Sequence, residues 1–144
     1  MNIEMEGKLP RGYLEIMEKV WGRELVIANS VLYCSKILEL KKDHRCSMHC
    51  HENKHETFYV QSGCCMMEWF AADDKKPTIY VLVPGTVLVM RPKTYHRFSG
   101  IADITQIIET STMDLPEDNK RLARSEHLPN GSEVWARNEV FVPH

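Results

Sequence analysis

The chain has 144 residues, 43% of them hydrophobic and 26% charged, with a formal net charge of −2. That balance suits one soluble domain with a single core and excludes a general nucleic-acid binder, which needs a basic surface to displace counterions. No apolar run approaches the roughly 18 residues of a membrane helix, and the acidic start MNIEMEGKLP has no signal-peptide core, so a cytoplasmic protein is expected.

Residues 13–20, YLEIMEKV, carry apolar side chains at Leu14, Ile16, Met17 and Val20, a spacing that predicts a short helix. Beyond it the character becomes β. ELVIA (24–28) and VLYCSKILEL (31–40) are rich in β-branched and aromatic residues. Lys41–Asp43 reads as a polar turn, followed by HRCSMHCH and a charged ENKH turn. ETFYVQ (56–61) predicts a strand that Ser62-Gly63 ends, and Cys64–Phe70 predicts the next. DDKKP (73–77) between apolar runs predicts a hairpin into Ile79–Val83. At Pro84-Gly85 a type II turn is expected, with glycine at positive φ, leading to Thr86–Met90. Tyr95–Phe98 and Ile104–Thr110 complete a core expected over about residues 20–112. Many short strands between turns indicate a sandwich or barrel. Residues 113–144 form a C-terminal extension, in which Leu115–Ser125 fits a short helix.

Five cysteines occur, Cys34, Cys46, Cys50, Cys64 and Cys65, without a paired C-x-x-C cluster. An odd count without a secretory signal reads as free thiols in a reducing compartment.

The chemistry concentrates at His49-x-His51. On a strand, residues i and i+2 leave the same face, so the two imidazoles project together. Glu56 follows five residues later, across a short turn, and His96 lies just past a proline-bearing turn. An isolated His-x-His is more often a pair of ordinary surface histidines. Three imidazoles with one carboxylate, by contrast, suit one divalent transition metal: Zn, Fe, Mn, Ni or Co. By strand alternation His44, Cys46, Met48 and Cys50 face away from that set, and His55 points away from Glu56.

These residues resemble the cupin superfamily. Its first motif, H-x-H, three or four residues, E, six residues, G, is matched by His49, His51, Glu56 and Gly63. Its second motif is matched by Gly85, Pro92 and His96, with Thr94 where the family carries glycine and a turn one residue shorter. The resemblance implies an all-β double-stranded β-helix, or jelly-roll, barrel with His49, His51, Glu56 and His96 as metal ligands. KVWGRELVIANS, HENKHETFYVQSG and IETSTMDLPEDNKRLAR further resemble the cupin domain of mannose-6-phosphate isomerases and related sugar-phosphate cupins; the close, LARSEHLPNGSEVW, departs from theirs.

If Glu56 and His96 point inward, Phe58, Val60 and Phe98 do too and form an apolar wall. Glu68 and Glu109 are isolated acids on apolar strands; one that faces the barrel interior is a candidate general base, and one that faces outward is merely solvated. Arg91, Lys93 and Arg97 surround His96 and either bind an anionic sugar substrate or form a solvated turn. The cupin resemblance implies a metal-dependent aldose–ketose isomerase acting on a sugar or sugar phosphate. An Fe(II)-dependent dioxygenase and a non-catalytic metal- or carbohydrate-binding cupin are the alternatives. A homodimer is expected, because Trp135 and Phe141 need burial.

Overall fold

Period-two alternation decides the architecture. In the strand Cys34–Lys41, Cys34, Lys36, Leu38 and Leu40 are buried while the residues between them are half exposed. The same beat recurs in Ile104–Ser111, where Thr105, Ile107, Glu109 and Ser111 are buried. The computed structural model describes residues 12–128 apart from Ala72 and Lys75.

In chain order the strands are β1 (Glu15–Lys19), β2 (Gly22–Asn29), β3 (Cys34–Lys41), β4 (His44–Arg45), β5 (Met48–Cys50), β6 (Glu56–Ser62) and β7 (Cys65–Ala71). They continue as β8 (Thr78–Leu82), β9 (Val87–Met90), β10 (Thr94–Gly100), β11 (Ile104–Ser111), β12 (Lys120–Ala123) and β13 (Glu126–His127). Their pairings are antiparallel and make two sheets, the jelly-roll barrel that the motifs imply. One sheet runs β1-β2-β3-β11-β6-β9. In the other, β10 is central: β7 lies on one edge, followed by β8, and β5 and β4 share the opposite edge. β12 and β13 then extend that side by pairing with β5 and β4.

The core joins both sheets, with Leu38, Phe58 and Ile107 from one packed with Met67 and Phe98 from the other. Gly63 ends β6 at φ 86°, where a Cβ would stand 2.5 Å from the carbonyl oxygen of Ile104; only glycine fits. Gly85 has φ 92°, as the expected turn requires.

Two local expectations are corrected. No helix forms at 13–20: β1 forms a hairpin with β2 in register from Glu15↔Val26 to Lys19↔Gly22. Ile16 and Met17 are exposed, so a helix here would have had no apolar face to bury, and the hairpin ladder satisfies the backbone instead. Likewise Leu115–Ser125 is not helical; it carries β12, which β5 captures as a neighbouring strand. Trp135 and Phe141 lie outside the described residues.

Candidate metal centre

β5 and β10 bring the histidines together. His49 lies directly opposite His96 in the ladder, so both rings leave the same face, with centroids 4.6 Å apart. His51 follows two residues after His49 on that face, its ring 5.2 Å from that of His49. Glu56 opens β6 on the facing sheet, with Oε2 3.2 Å from His96 Nε2 and Oε1 3.7 Å from His51 Nε2. All four side chains line one cavity of about 270 Å³, whose walls include Trp21, Phe58 and Phe98.

Backbone carbonyls orient all three rings. His49 Nδ1 lies 2.9 Å from the carbonyl of Ser47, and His96 Nδ1 lies 3.0 Å from that of Thr94. His51 Nδ1 meets the carbonyl of Asp118. A carbonyl only accepts, so each Nδ1 is the donor and each Nε2 is left to face the cavity. That is the arrangement by which metal-ligating histidines are held. Asp118 contributes again through its carboxylate, which accepts the backbone N–H groups of Glu52, Asn53 and Lys54 at 2.7, 3.2 and 3.1 Å and so fixes the loop between His51 and Glu56.

Electrostatics separate the rings. Burial, with His96 adding to it, pushes His49 down to about 3, so its ring is neutral. Burial opposes protonation of His96 as well, but the hydrogen bond and charge of Glu56 outweigh it and raise His96. Burial alone would raise Glu56; His96 and Lys54 hold it well below the carboxylate range. Among the described residues, no three His, Cys, Asp or Glu side chains converge as tightly as ligands of a bound ion. Glu56 is instead engaged by His96 and by Lys54 Nζ at 3.0 Å. The donor set nevertheless fits a divalent ion. The proton between His96 and Glu56 and a metal cation are alternative partners for the same lone pair and the same carboxylate charge.

Lys54 is the residue that sequence reading missed. It is buried, and its ammonium bridges Glu56, Glu109 Oε1 at 2.6 Å and Asp114 Oδ1 at 3.3 Å. Its position two residues before Glu56 was the available signal. Glu109 faces the cavity, where burial and then the charge of Glu56 raise its proton affinity. Lys36, also lining the cavity, pairs with Asp114 at 2.5 Å and Glu24 at 3.4 Å. Asp114 and Asp118 lie in the segment IETSTMDLPEDNKRLAR that carries part of the resemblance, but no local pattern gives their contacts with Lys36, Lys54 and Glu52, because these partners lie 60 or more positions away.

The other candidates fall elsewhere. Glu68 does not reach the cavity; it accepts from Arg97 Nε at 2.7 Å on the outer face of β7 and β10. Arg91 and Lys93 are exposed and do not line the cavity. The shortened turn before His96 takes its left-handed residue at Lys93, φ 63°, whose N–H donates to the carbonyl of His51 at 2.7 Å. Cys46 corrects the alternation argument: it lines the cavity, because the strand breaks between β4 and β5 and the parity is lost there. Cys50 keeps the expected parity; it is buried and absent from the cavity wall. His44 stacks on His127 with centroids 4.4 Å apart.

Neither a family model nor a curated protein matches the chain. Solved structures do. The capsular polysaccharide assembling protein CapF from Staphylococcus aureus superposes with a TM-score of 0.69 at 18% identity, over 78% of this chain and 32% of its own. Oxalate decarboxylase from Bacillus subtilis gives 0.67 at 12% identity, over 76% of this chain and 30% of its own. KdgF from Halomonas sp. gives 0.57 at 16% identity, over 66% of this chain and 81% of its own. The chain thus spans about a third of the CapF and oxalate decarboxylase chains. At these identities the likeness establishes the fold, a cupin barrel.

Proposed function

We propose that the chain is a metal-dependent aldose–ketose isomerase of a sugar or sugar phosphate, with His49, His51, Glu56 and His96 holding one divalent transition metal. The observation that carries this reading is the juxtaposition, in one cavity, of three carbonyl-anchored imidazoles and Glu56 with the Lys54–Glu109 pair. When bound, the metal supplies Lewis acidity toward a substrate carbonyl and its neighbouring hydroxyl.

The protein's own groups account for the proton movement. Glu109, with its proton affinity raised by burial and by Glu56, is suited to take a proton from the carbon beside the carbonyl and return it to the next carbon. Lys54 steadies the charged form of Glu109. Phe58, Phe98 and Trp21 keep bulk water from the reacting carbons. The likeness of WGRE and the first motif to sugar-phosphate cupins supports a sugar substrate, as does the assignment of CapF to capsular polysaccharide assembly. The Mn(II) centres named for oxalate decarboxylase support a divalent ion.

Five unpaired cysteines support a reducing compartment, and a homodimer remains part of the proposal, with light scattering as its check. Anaerobic incubation with aldoses, ketoses and their phosphates in D₂O should place deuterium beside the carbonyl. Chelation should stop the exchange and metal return should restore it. Stoichiometric O₂ uptake without any exchange would replace the isomerase with a dioxygenase.

A further inference from the structure

Four cationic side chains line the cavity: Lys19, Lys36, Lys54 and Arg121. Lys36 meets Glu24 and Asp114, and Lys54 meets Glu56, Glu109 and Asp114. Carboxylates therefore already neutralise these two ammonium groups. Lys19 and Arg121 make no ion pair among the described residues, and only Arg121 stands beside a candidate ligand. It pairs with His49 across the β5–β12 ladder, so the two side chains leave the same face with Cβ atoms about 5 Å apart. The register shifts between Arg121 and Ala123, an irregularity of the kind that re-aims side chains next to active sites.

Two residues before Arg121, just ahead of β12, Asn119 also lines the cavity. Its Oδ1 is buried and finds no hydrogen-bond donor among the described residues. An acceptor removed from both water and protein donors is costly to leave alone, and a turn of the Asn119 amide into the cavity would offer it to a ligand hydroxyl. Among the described residues, a guanidinium without a carboxylate partner and an acceptor without a donor thus line one cavity, beside His49.

We propose that Arg121 and Asn119 form a substrate subsite at the cavity mouth, Arg121 for an anionic group and Asn119 for a hydroxyl. The substrate is then a polyhydroxylated carboxylate or a sugar phosphate, held with its anion at the mouth and its carbonyl end toward His49. Arg121 is suited to either anion, because its planar fork matches carboxylate and phosphate oxygens in pairs. This inference rests on the reading of the cavity as the substrate site, and it moves the anion contact away from Arg91, Lys93 and Arg97.

Calorimetric titration of the full chain, as purified and after chelation, with D-gluconate, D-sorbitol 6-phosphate and neutral D-sorbitol tests it. At least one anion should bind about tenfold tighter than sorbitol, the scale of one charge-assisted pair, and the tighter anion tells carboxylate from phosphate. R121Q should reduce that anion to the sorbitol level while leaving metal content unchanged, R121K should keep most of the preference, and N119A should weaken all three ligands. Equal binding of anions and sorbitol, no binding of any of the three at millimolar concentration, or an undiminished preference in R121Q would overturn the subsite. Failure of the isomerase reading looks different: no deuterium exchange with any sugar, alongside an anion preference that still depends on Arg121.

Discussion

The two faces of β10 and its neighbours are both buried, yet they carry opposite kinds of chemistry. Inward, β5 and β10 present His49, His96 and Phe98 to the cavity. Outward, Met48, Cys50 and Arg97 are equally buried, and Arg97 pairs with Glu68. Glu68 and Glu109 look alike in sequence, single acids on apolar strands, and both end 3–4% exposed against a buried cation. Their difference lies in geometry. Glu68 meets Arg97 across one ladder, away from the cavity. Glu109 shares Lys54 with Glu56 and Asp114, so it sits in a competition for one ammonium, inside the cavity. Burial of a charge therefore does not mark function by itself; what it faces does.

Substitutions that cross this divide test it. The largest effect is expected for His51→Ala, which removes a ligand and should abolish stoichiometric metal by elemental analysis. Cys50→Ser, one residue away on the outer face, should leave metal content unchanged. Loss of metal from the Cys50 variant alone would mean that the faces are exchanged.

Next comes Glu109→Gln. It should slow deuterium exchange by about 10²- to 10⁴-fold, the range of a lost general base, with metal retained. An exchange rate within a factor of two of the wild type would move the base elsewhere. Glu68→Gln is its outer counterpart. It removes the carboxylate charge that accepts from Arg97 Nε, so denaturant unfolding should lose stability, by about 3–5 kcal/mol on the scale of a broken buried pair, while the folded variant binds metal normally.

The smallest effect is expected at Asp118. Asp118→Ala keeps the carbonyl that meets His51 but frees the loop whose three N–H groups the carboxylate collects. Metal affinity, read by competition with a chelating dye, should fall about tenfold, as for loss of an outer support. Asp118→Asn, which retains an acceptor, should recover part of it.

Much of this was legible from residues alone. β-branched and aromatic runs between turn residues announced β3, β6 and β11, whose buried positions alternate, and the H-x-H parity placed His49 and His51 on one face. Those inferences use geometry that repeats every two residues and needs no distant partner. The motif spacing then joined Glu56 and His96 to the set. The hairpin at β1 escaped because eight residues with apolar side chains at 14, 16, 17 and 20 satisfy either period, and pairing with β2 was the deciding term. Cys46 escaped because a two-residue break between β4 and β5 resets the parity on which the argument ran.

What only the tertiary structure decided is the polar half of the cavity. Sequence placed the cations near His96, at Arg91, Lys93 and Arg97; the fold turns those out and brings in Lys36, Lys54 and Arg121. Lys54 reaches Glu109 across 55 residues, and Asp118 reaches His51 across 67. A charge finds its partner through the packing of two sheets and a returning strand, and no local period encodes that distance.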